Sequence, residues 1–330
     1  MTVAFIFRKP NPAFFSIERV FFSIGEELKK QAITIDRVVA PEKGVSLHNI
    51  RFIRSFPGRR HTDIYHVTGD MHYIVWGLPR RNTLLTIHDC VFLYQTKGLK
   101  RWLLKKLFLD WPVSRCKMIT TISDATKKDI LQHTGCKPEK ITVIPDPVNE
   151  GILYHPHTFR EEYPEILFVG TTPNKNLGRV IPALEDIPCR LHIIGEVPDA
   201  MMALLKGHRI DFRQSVRLTD EEMAAAYVSA DLVLFPSLFE GFGLPIVEAQ
   251  KTGRAVITSN LSPMKEVAGK DALLIDPHSV DAIRAAVLTL IRDKEYRERL
   301  VKAGLQNAGR FDTKTIAEQY LACYRQLLAN

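Results

Sequence analysis

Hydrophobic and polar positions along this chain follow two rhythms. Short apolar runs, rich in β-branched residues, recur throughout, and stretches with helical spacing separate them. In the first half the runs fall at Val3–Phe7, Thr34–Ala40, Asp63–Val67, Thr83–His88, Met118–Ile122 and Ile141–Ile144. In the second half they fall at Glu165–Val169, Arg190–Ile194, Asp231–Phe235, Ala255–Thr258 and Ala272–Ile275. Several are apolar at successive positions, which predicts strands of a parallel sheet covered on both faces by helices. Alternation of this kind predicts βαβ units, and two series of them predict an α/β protein with two doubly wound, Rossmann-like domains. Pro145, Pro147, Pro156 and Pro164 interrupt regular structure and place the break between the series.

Helix signals agree with this pattern. Thr219-Asp-Glu-Glu222 has the spacing of a capping box. Ser123 is placed to cap a helix through Thr126–His133, ended by Gly135. Thr313–Leu328 carries Ile316, Tyr320, Tyr324 and Leu327 on one stripe.

Composition narrows the class. The chain has 330 residues, 45% apolar and 25% charged, the profile of a soluble globular protein. Its five cysteines are scattered and form no C-x-x-C, which fits reduced thiols in a cytoplasmic protein. The start, MTVAFIFRKPN, reads as a first strand rather than a signal peptide, and no apolar run is long enough to span a membrane. The net charge of +8 is uneven. Residues 1–150 hold 24 Lys and Arg against 14 Asp and Glu (+10), and residues 151–330 hold 21 against 23 (−2). A basic first half suggests an anionic partner.

Open parallel sheets bind ligands beyond the carboxyl ends of their strands. The informative stretch is therefore PSLFEGFGLPIVEAQ, Pro236–Gln250, after the run ending at Phe235. Gly241 and Gly243 allow a tight turn and close approach of a ligand. Pro245 suits the first position of a helix, whose positive N-terminus can receive a diphosphate. Glu240 on the loop and Glu248 one turn into the helix can reach different parts of one ligand. A glutamate in a first helical turn is common for the dipole alone, so the joint pattern carries more than either acid.

That stretch resembles the signature of the retaining glycosyltransferase family 4. The matching residues are Pro236, Ser237, Glu240, Gly241, Phe242, Gly243, Pro245, Glu248, Ala249 and Gly253. TIHDCVF (Thr86–Phe92), TTISDATKKDI (Thr120–Ile130), ITVIPDPVN (Ile141–Asn149), ILFVGTTPNKNL (Ile166–Leu177) and SNLSPMKEVAGKDALLIDP (Ser259–Pro277) resemble further family blocks, in order. The resemblance implies a GT-B fold, two Rossmann-like domains facing across a cleft. It implies an acceptor-binding domain over 1–155, with a final helix over 312–330 packed back on it, and a nucleotide-sugar domain over 156–311. By the same resemblance Glu248 holds the nucleotide ribose and Glu240 lies near the donor sugar. Lys175 neutralises the diphosphate, His88 lies by the sugar, and Thr171, Gly241, Phe242, Gly243 and Leu244 line the donor.

The implied activity is transfer of a hexosyl group from a nucleoside-diphosphate sugar to a glycan or lipid-linked acceptor in cell-surface polysaccharide synthesis. The GTTPNKNL and TIHD blocks lean towards GDP-mannose users. The chain has no Asp-x-Asp, so no metal is expected, and no cofactor beyond the donor substrate. His155 and His157 lack an evident third ligand. Two departures stand out. Thr171 occupies the usual arginine position after "VG", and the loop after the first strand, RKPNPAFFSIERV, has no glycine. Asn11, Ser16 and Glu18 on that loop, and His66 at a strand end, are candidates for the acceptor side. Glu240 is compatible with binding sugar hydroxyls, steadying a cationic transition state or acting as nucleophile. A nucleotide-sugar epimerase and a catalytically silent nucleotide-sugar binder are the rival readings. Finally, Lys97–Trp111, KGLKRWLLKKLFLDW, combines basic residues with two tryptophans, which suggests a peripheral contact with the cytoplasmic face of an anionic membrane. No nucleic-acid-binding module is present.

Overall fold

The structure, a computed structural model, describes residues 1–10, 16–56 and 61–329, the side chain of Ser16 excepted. The chain divides into two compact units, Met1–Pro147 with Thr313–Asn330, and Val148–Asp312. Each is built on a six-stranded parallel sheet.

In the first unit the strands are β1 (Thr2–Phe7), β2 (Thr34–Val39), β3 (Ile64–Val67), β4 (Thr83–Ile87), β5 (Met118–Thr121) and β6 (Ile141–Val143). Their order across the sheet is β2-β1-β3-β4-β5-β6. β1 shows why the sequence reads as an unbroken apolar run. Side chains alternate across a strand, so Ala4 and Ile6 enter one core layer while Val3, Phe5 and Phe7 enter the other. The second layer is closed by the helix Ser16–Lys30, through Val20, Phe21, Ile24 and Leu28, and by the final helix Thr313–Ala329. The stripe of Ile316, Tyr320, Tyr324 and Leu327 is buried there.

In the second unit the strands are β7 (Glu165–Val169), β8 (Arg190–Ile194), β9 (Asp211–Ser215), β10 (Leu232–Phe235), β11 (Ala255–Ser259) and β12 (Leu273–Ile275), ordered β12-β11-β10-β7-β8-β9. β9 is absent from the sequence reading. It is an edge strand of sequence DFRQS, mostly solvent-facing, so burial imposes no apolar pattern on it. The predicted caps are present. Thr219 and Glu222 form a full capping box, Ser123 caps Asp124–Thr134, and Gly135 ends that helix in the left-handed conformation.

A buried polar network fastens the final helix to the first sheet. His66 on β3 is wholly buried. Its Nδ1 lies 2.7 Å from the Tyr324 hydroxyl and its Nε2 2.7 Å from Thr86 Oγ1, which is itself 2.7 Å from Thr120 Oγ1. The ring packs edge-on against Phe5 and Phe21. This corrects the acceptor-side expectation for His66: both ring nitrogens are engaged inside the core, and no surface is left for a ligand.

Burial, with the nearby His88 as a lesser cause, pushes the His66 imidazole down to about 3. An unfolded histidine titrates near about 6.5. Between those values the unfolded chain binds the extra proton, so this contribution to stability is complete above about pH 6.5 and is lost as pH falls towards 3. The slope from this one group is at most about 1.4 kcal/mol per pH unit. Denaturant midpoints measured from pH 7 to pH 5 are expected to fall, and to fall less steeply in His66→Gln. Parallel slopes in the two proteins would remove His66 from the account.

Candidate active site

The strand order of the second unit reverses between β7 and β10. From β7 the sheet continues to β8 and β9, and from β10 it continues the other way to β11 and β12. The loops after these two neighbours therefore diverge and leave a crevice, the place where open parallel sheets take ligands.

The two loops are stapled by three consecutive residues. The Asn174 carbonyl accepts from the Leu238 amide at 2.8 Å, and its Nδ2 donates to the Phe239 carbonyl at 2.9 Å and to Glu240 Oε1 at 3.3 Å. Lys175 Nζ donates to Glu240 Oε1 at 2.6 Å and stands 4.6 Å from the centre of the Phe235 ring. Asn176, at φ +71, donates to the carbonyls of Pro236 and Pro277. Lys175 and Glu240 are only 18% and 14% exposed, so solvent and salt screen the pair less than a surface ion pair.

Glycine makes this packing feasible. Gly170 follows β7 at φ +91, and a Cβ there would stand 2.8 Å from Lys175 Cε. Gly195, after β8, leaves room for Thr171: an added Cβ would lie 3.1 Å from Thr171 Oγ1. On the other loop, Phe242 is buried with its ring 5.5 Å from Phe311, which pins Gly241-Phe242-Gly243. Gly243, at φ +117, opens the helix Leu244–Thr252, with Pro245 in its first turn. The Ile246 amide donates to the Gly243 carbonyl at 3.0 Å, so it is used within the turn. Glu248, one turn in, accepts from the Tyr227 hydroxyl at 2.6 Å. Burial, and then the charge of Glu248, push the Tyr227 phenol well above its ordinary range, so it stays protonated and holds the carboxylate.

In the first unit the order reverses between β1 and β3. Arg8, just after β1, donates through Nε to Glu18 Oε1 at 2.9 Å and pairs with Asp70 beyond β3. Asp70 stands at φ +45, a left-handed conformation uncommon outside glycine. His88, after β4, donates from Nε2 to the Thr68 carbonyl at 2.8 Å, which fixes its proton there, and its Nδ1 lies 4.0 Å from Asp146. Burial pushes the Asp146 carboxyl up, opposed by His88.

Two family profiles match the chain. "Glycosyltransferase Family 4" spans residues 17–151 and "Glycosyl transferases group 1" spans residues 154–307. The chain belongs to the group 1 glycosyltransferases. The fold of this glycosyltransferase is GT-B. Among solved structures, Anabaena Alr3699/HepE in complex with UDP and glucose superposes with a TM-score of 0.79 at 15% identity, over 99% of this chain and 100% of that one. Among curated relatives, the O-antigen chain mannosyltransferase B of Escherichia coli is 29% identical, over 80% of this chain and 74% of its own. The MMP alpha-(1->4)-mannosyltransferase of Mycolicibacterium hassiacum is 29% identical over 64% of this chain, which spans only 54% of that relative's length.

Within the second unit, Thr171, Lys175, Glu240, Gly241, Phe242, Gly243, Leu244 and Glu248 all lie on the elements that follow β7 and β10. His88 and Glu18 lie at the carboxyl end of the first sheet. Glu18, in the first turn of the helix Ser16–Lys30, is buried and accepts from Arg8, so its carboxylate is already engaged. Asn11 falls outside the described residues, as does the side chain of Ser16. His157 donates to Asp231 at 2.7 Å, and among the described residues no three His, Cys, Asp or Glu side chains gather as a metal-ligand set. Asn174, Asn176 and Tyr227 were not singled out from sequence. The two asparagines sit within the TTPNKNL block, whereas Tyr227 carries no local signal.

Gly170→Ala tests the packing. It is expected to cost about 1–2 kcal/mol for the positive φ alone, read from denaturant midpoints, and to displace Lys175. An unchanged midpoint would contradict the described contact.

Proposed function

We propose that this glycosyltransferase moves a hexosyl group, with retention, from a nucleoside-diphosphate sugar to an acceptor hydroxyl on a glycan or lipid-linked saccharide in cell-surface polysaccharide synthesis. GDP-mannose is the favoured donor, supported by the TIHD and GTTPNKNL blocks and by two relatives named as mannosyltransferases. The observation that carries the reading is the Lys175–Glu240 pair in the crevice where the second sheet reverses, beside the start of the helix Leu244–Thr252.

In this reading Glu248, held by Tyr227, accepts both ribose hydroxyls. The diphosphate lies against Lys175, with Thr171 adding one hydrogen bond, and the positive end of the helix adds its dipole. Lys175 exchanges its contact with Glu240 for the phosphate oxygens, which frees Glu240 to face the sugar. The bond from the sugar carbon to the β-phosphate oxygen breaks, and the charge it leaves on the diphosphate is met by Lys175. The acceptor oxygen attacks from the same face and its proton passes to the departing phosphate. His88, its proton held on Nε2 by the Thr68 carbonyl and its Nδ1 4.0 Å from Asp146, is assigned to the transferred sugar. Fixed protein charges take the place that a metal ion holds in other transferases, and no cofactor is needed.

Glu240→Ala is expected to abolish transfer and, because it leaves the Lys175 ammonium without its carboxylate, to lower the melting temperature while the chain stays folded; full activity would end the assignment. In a thermal-shift panel of GDP-, UDP- and ADP-sugars, GDP-mannose is expected to raise the melting temperature most. A larger shift with a UDP-sugar would reverse the donor choice.

A further inference from the structure

The chain contains three tryptophans, Trp76, Trp102 and Trp111. Such large rings are on average well buried, yet here all three are open, at 49%, 56% and 44% exposure. They belong to one region of the first unit. Trp102 lies on the helix Gly98–Lys105, which continues through a π-helical turn, Lys106–Asp110, into the helix Trp111–Arg115. Trp111 meets Trp76 edge-on at 6.3 Å. The sequence stretch is therefore one continuous helical segment with a π-helical turn inside it, and Trp76 joins it from a distant segment.

The helix Gly98–Lys105 has no buried residue. Leu99, Trp102 and Leu103 stand at i, i+3 and i+4, which puts them on one face, and all three are exposed, Leu99 at 79%. Lys97, Lys100 and Arg101 take the remaining directions and are exposed as well. An apolar stripe at helical spacing normally faces a core; this one faces out. The inner side of the segment is anchored separately, by buried Leu109 and by Phe108 packed against the core. Arg115 lies over the Trp76 ring, 5.2 Å from its centre. Close by, a cavity of about 630 Å³ is lined by Arg80, Lys117, Lys137 and Lys140 against Asp110 and Glu139. Asp110 pairs with Lys105 and Lys106, Lys140 donates to the Val113 carbonyl, and Arg80, Lys117 and Lys137 form the basic rim.

We propose that this face docks on an anionic phospholipid bilayer. Leu99, Trp102 and Leu103 enter the interface, Trp76 and Trp111 lie at headgroup depth, and Lys97, Lys100 and Arg101 with the basic cavity meet the phosphates. Three observations choose this occupant over a protein. The aromatic residues are tryptophans, the type that concentrates at membrane interfaces. The charge around them has one dominant sign, carried by the half of the chain with a net charge of +10. The exposed helix presents leucine and tryptophan on one side and Lys and Arg on the other, as interfacial helices do. Among the described residues no helix is long and apolar enough to cross a membrane, so the contact is peripheral. The proposal does not depend on which donor or acceptor is used.

The test is co-sedimentation of the full chain with vesicles of phosphatidylglycerol and phosphatidylcholine in equal parts, and with phosphatidylcholine alone, at ~0.1 M salt. Tryptophan emission is followed in the same samples. The chain is expected to pellet with the anionic vesicles and to shift its emission to the blue. Leu99→Ser/Trp102→Ser and, separately, Lys100→Glu/Arg101→Glu are expected to lower the bound fraction at least tenfold, with melting temperature and turnover of a water-soluble acceptor unchanged. Binding that is absent, equal on both vesicles, or equal in native and variant chains would overturn the proposal. So would a native dimer, detected by light scattering, that Leu99→Ser/Trp102→Ser converts to monomer.

Discussion

A lysine and a glutamate held 2.6 Å apart at the reversal point of a parallel sheet organise much of the second unit. The strand order sends the chain away from β7 and β10 in opposite directions, and the divergence of their loops creates a crevice that neither loop could form alone. An open crevice with a charged lining is unstable unless its charges are satisfied. Glu240 supplies Lys175 with a partner, Asn174 adds a second donor to the same carboxylate oxygen, and Asn176 ties the base of both loops together. Gly170, Gly195 and Gly243 remove the side chains that would stand in the way. The outcome is a mostly buried lysine held by one carboxylate, and in the proposed function that contact is the one the diphosphate replaces.

The first unit repeats the arrangement with other residues. Its reversal point lies between β1 and β3, and an arginine there pairs with a carboxylate on each side, Glu18 and Asp70. The family's usual glycines are absent from the sequence after β1, and beyond β3 Gly69 and Asp70 take positive φ. His88 depends on the same turn, since a side chain at 69 would meet its ring.

How far the sequence could be read follows from what each residue answers to. Eleven strands announce themselves by apolar or β-branched runs, whereas β9, the edge strand DFRQS, carries no such run. The Glu240–Glu248 stretch was legible because glycines, a proline and two acids in fixed spacing are improbable together. Tyr227 was illegible because its tie to Glu248 joins separate segments, and nothing near it in the chain calls for a phenol. His66 misled for a related reason: a histidine at a strand end looks like a site residue until the final helix, distant in sequence, covers it with Tyr324. The exposure of Trp76 likewise depends on neighbours that only the fold supplies.

The account turns on Glu240 being a temporary partner of Lys175. If diphosphate and carboxylate compete for the same ammonium group, removing the carboxylate charge must help the diphosphate. Calorimetric titration of GDP into the native chain and into Glu240→Gln measures this directly. The account predicts that the variant, though unable to transfer, binds bare GDP several-fold more tightly. Weaker or equal binding in the variant would show that Glu240 supports the nucleotide site instead of yielding to it, and would contradict the central claim.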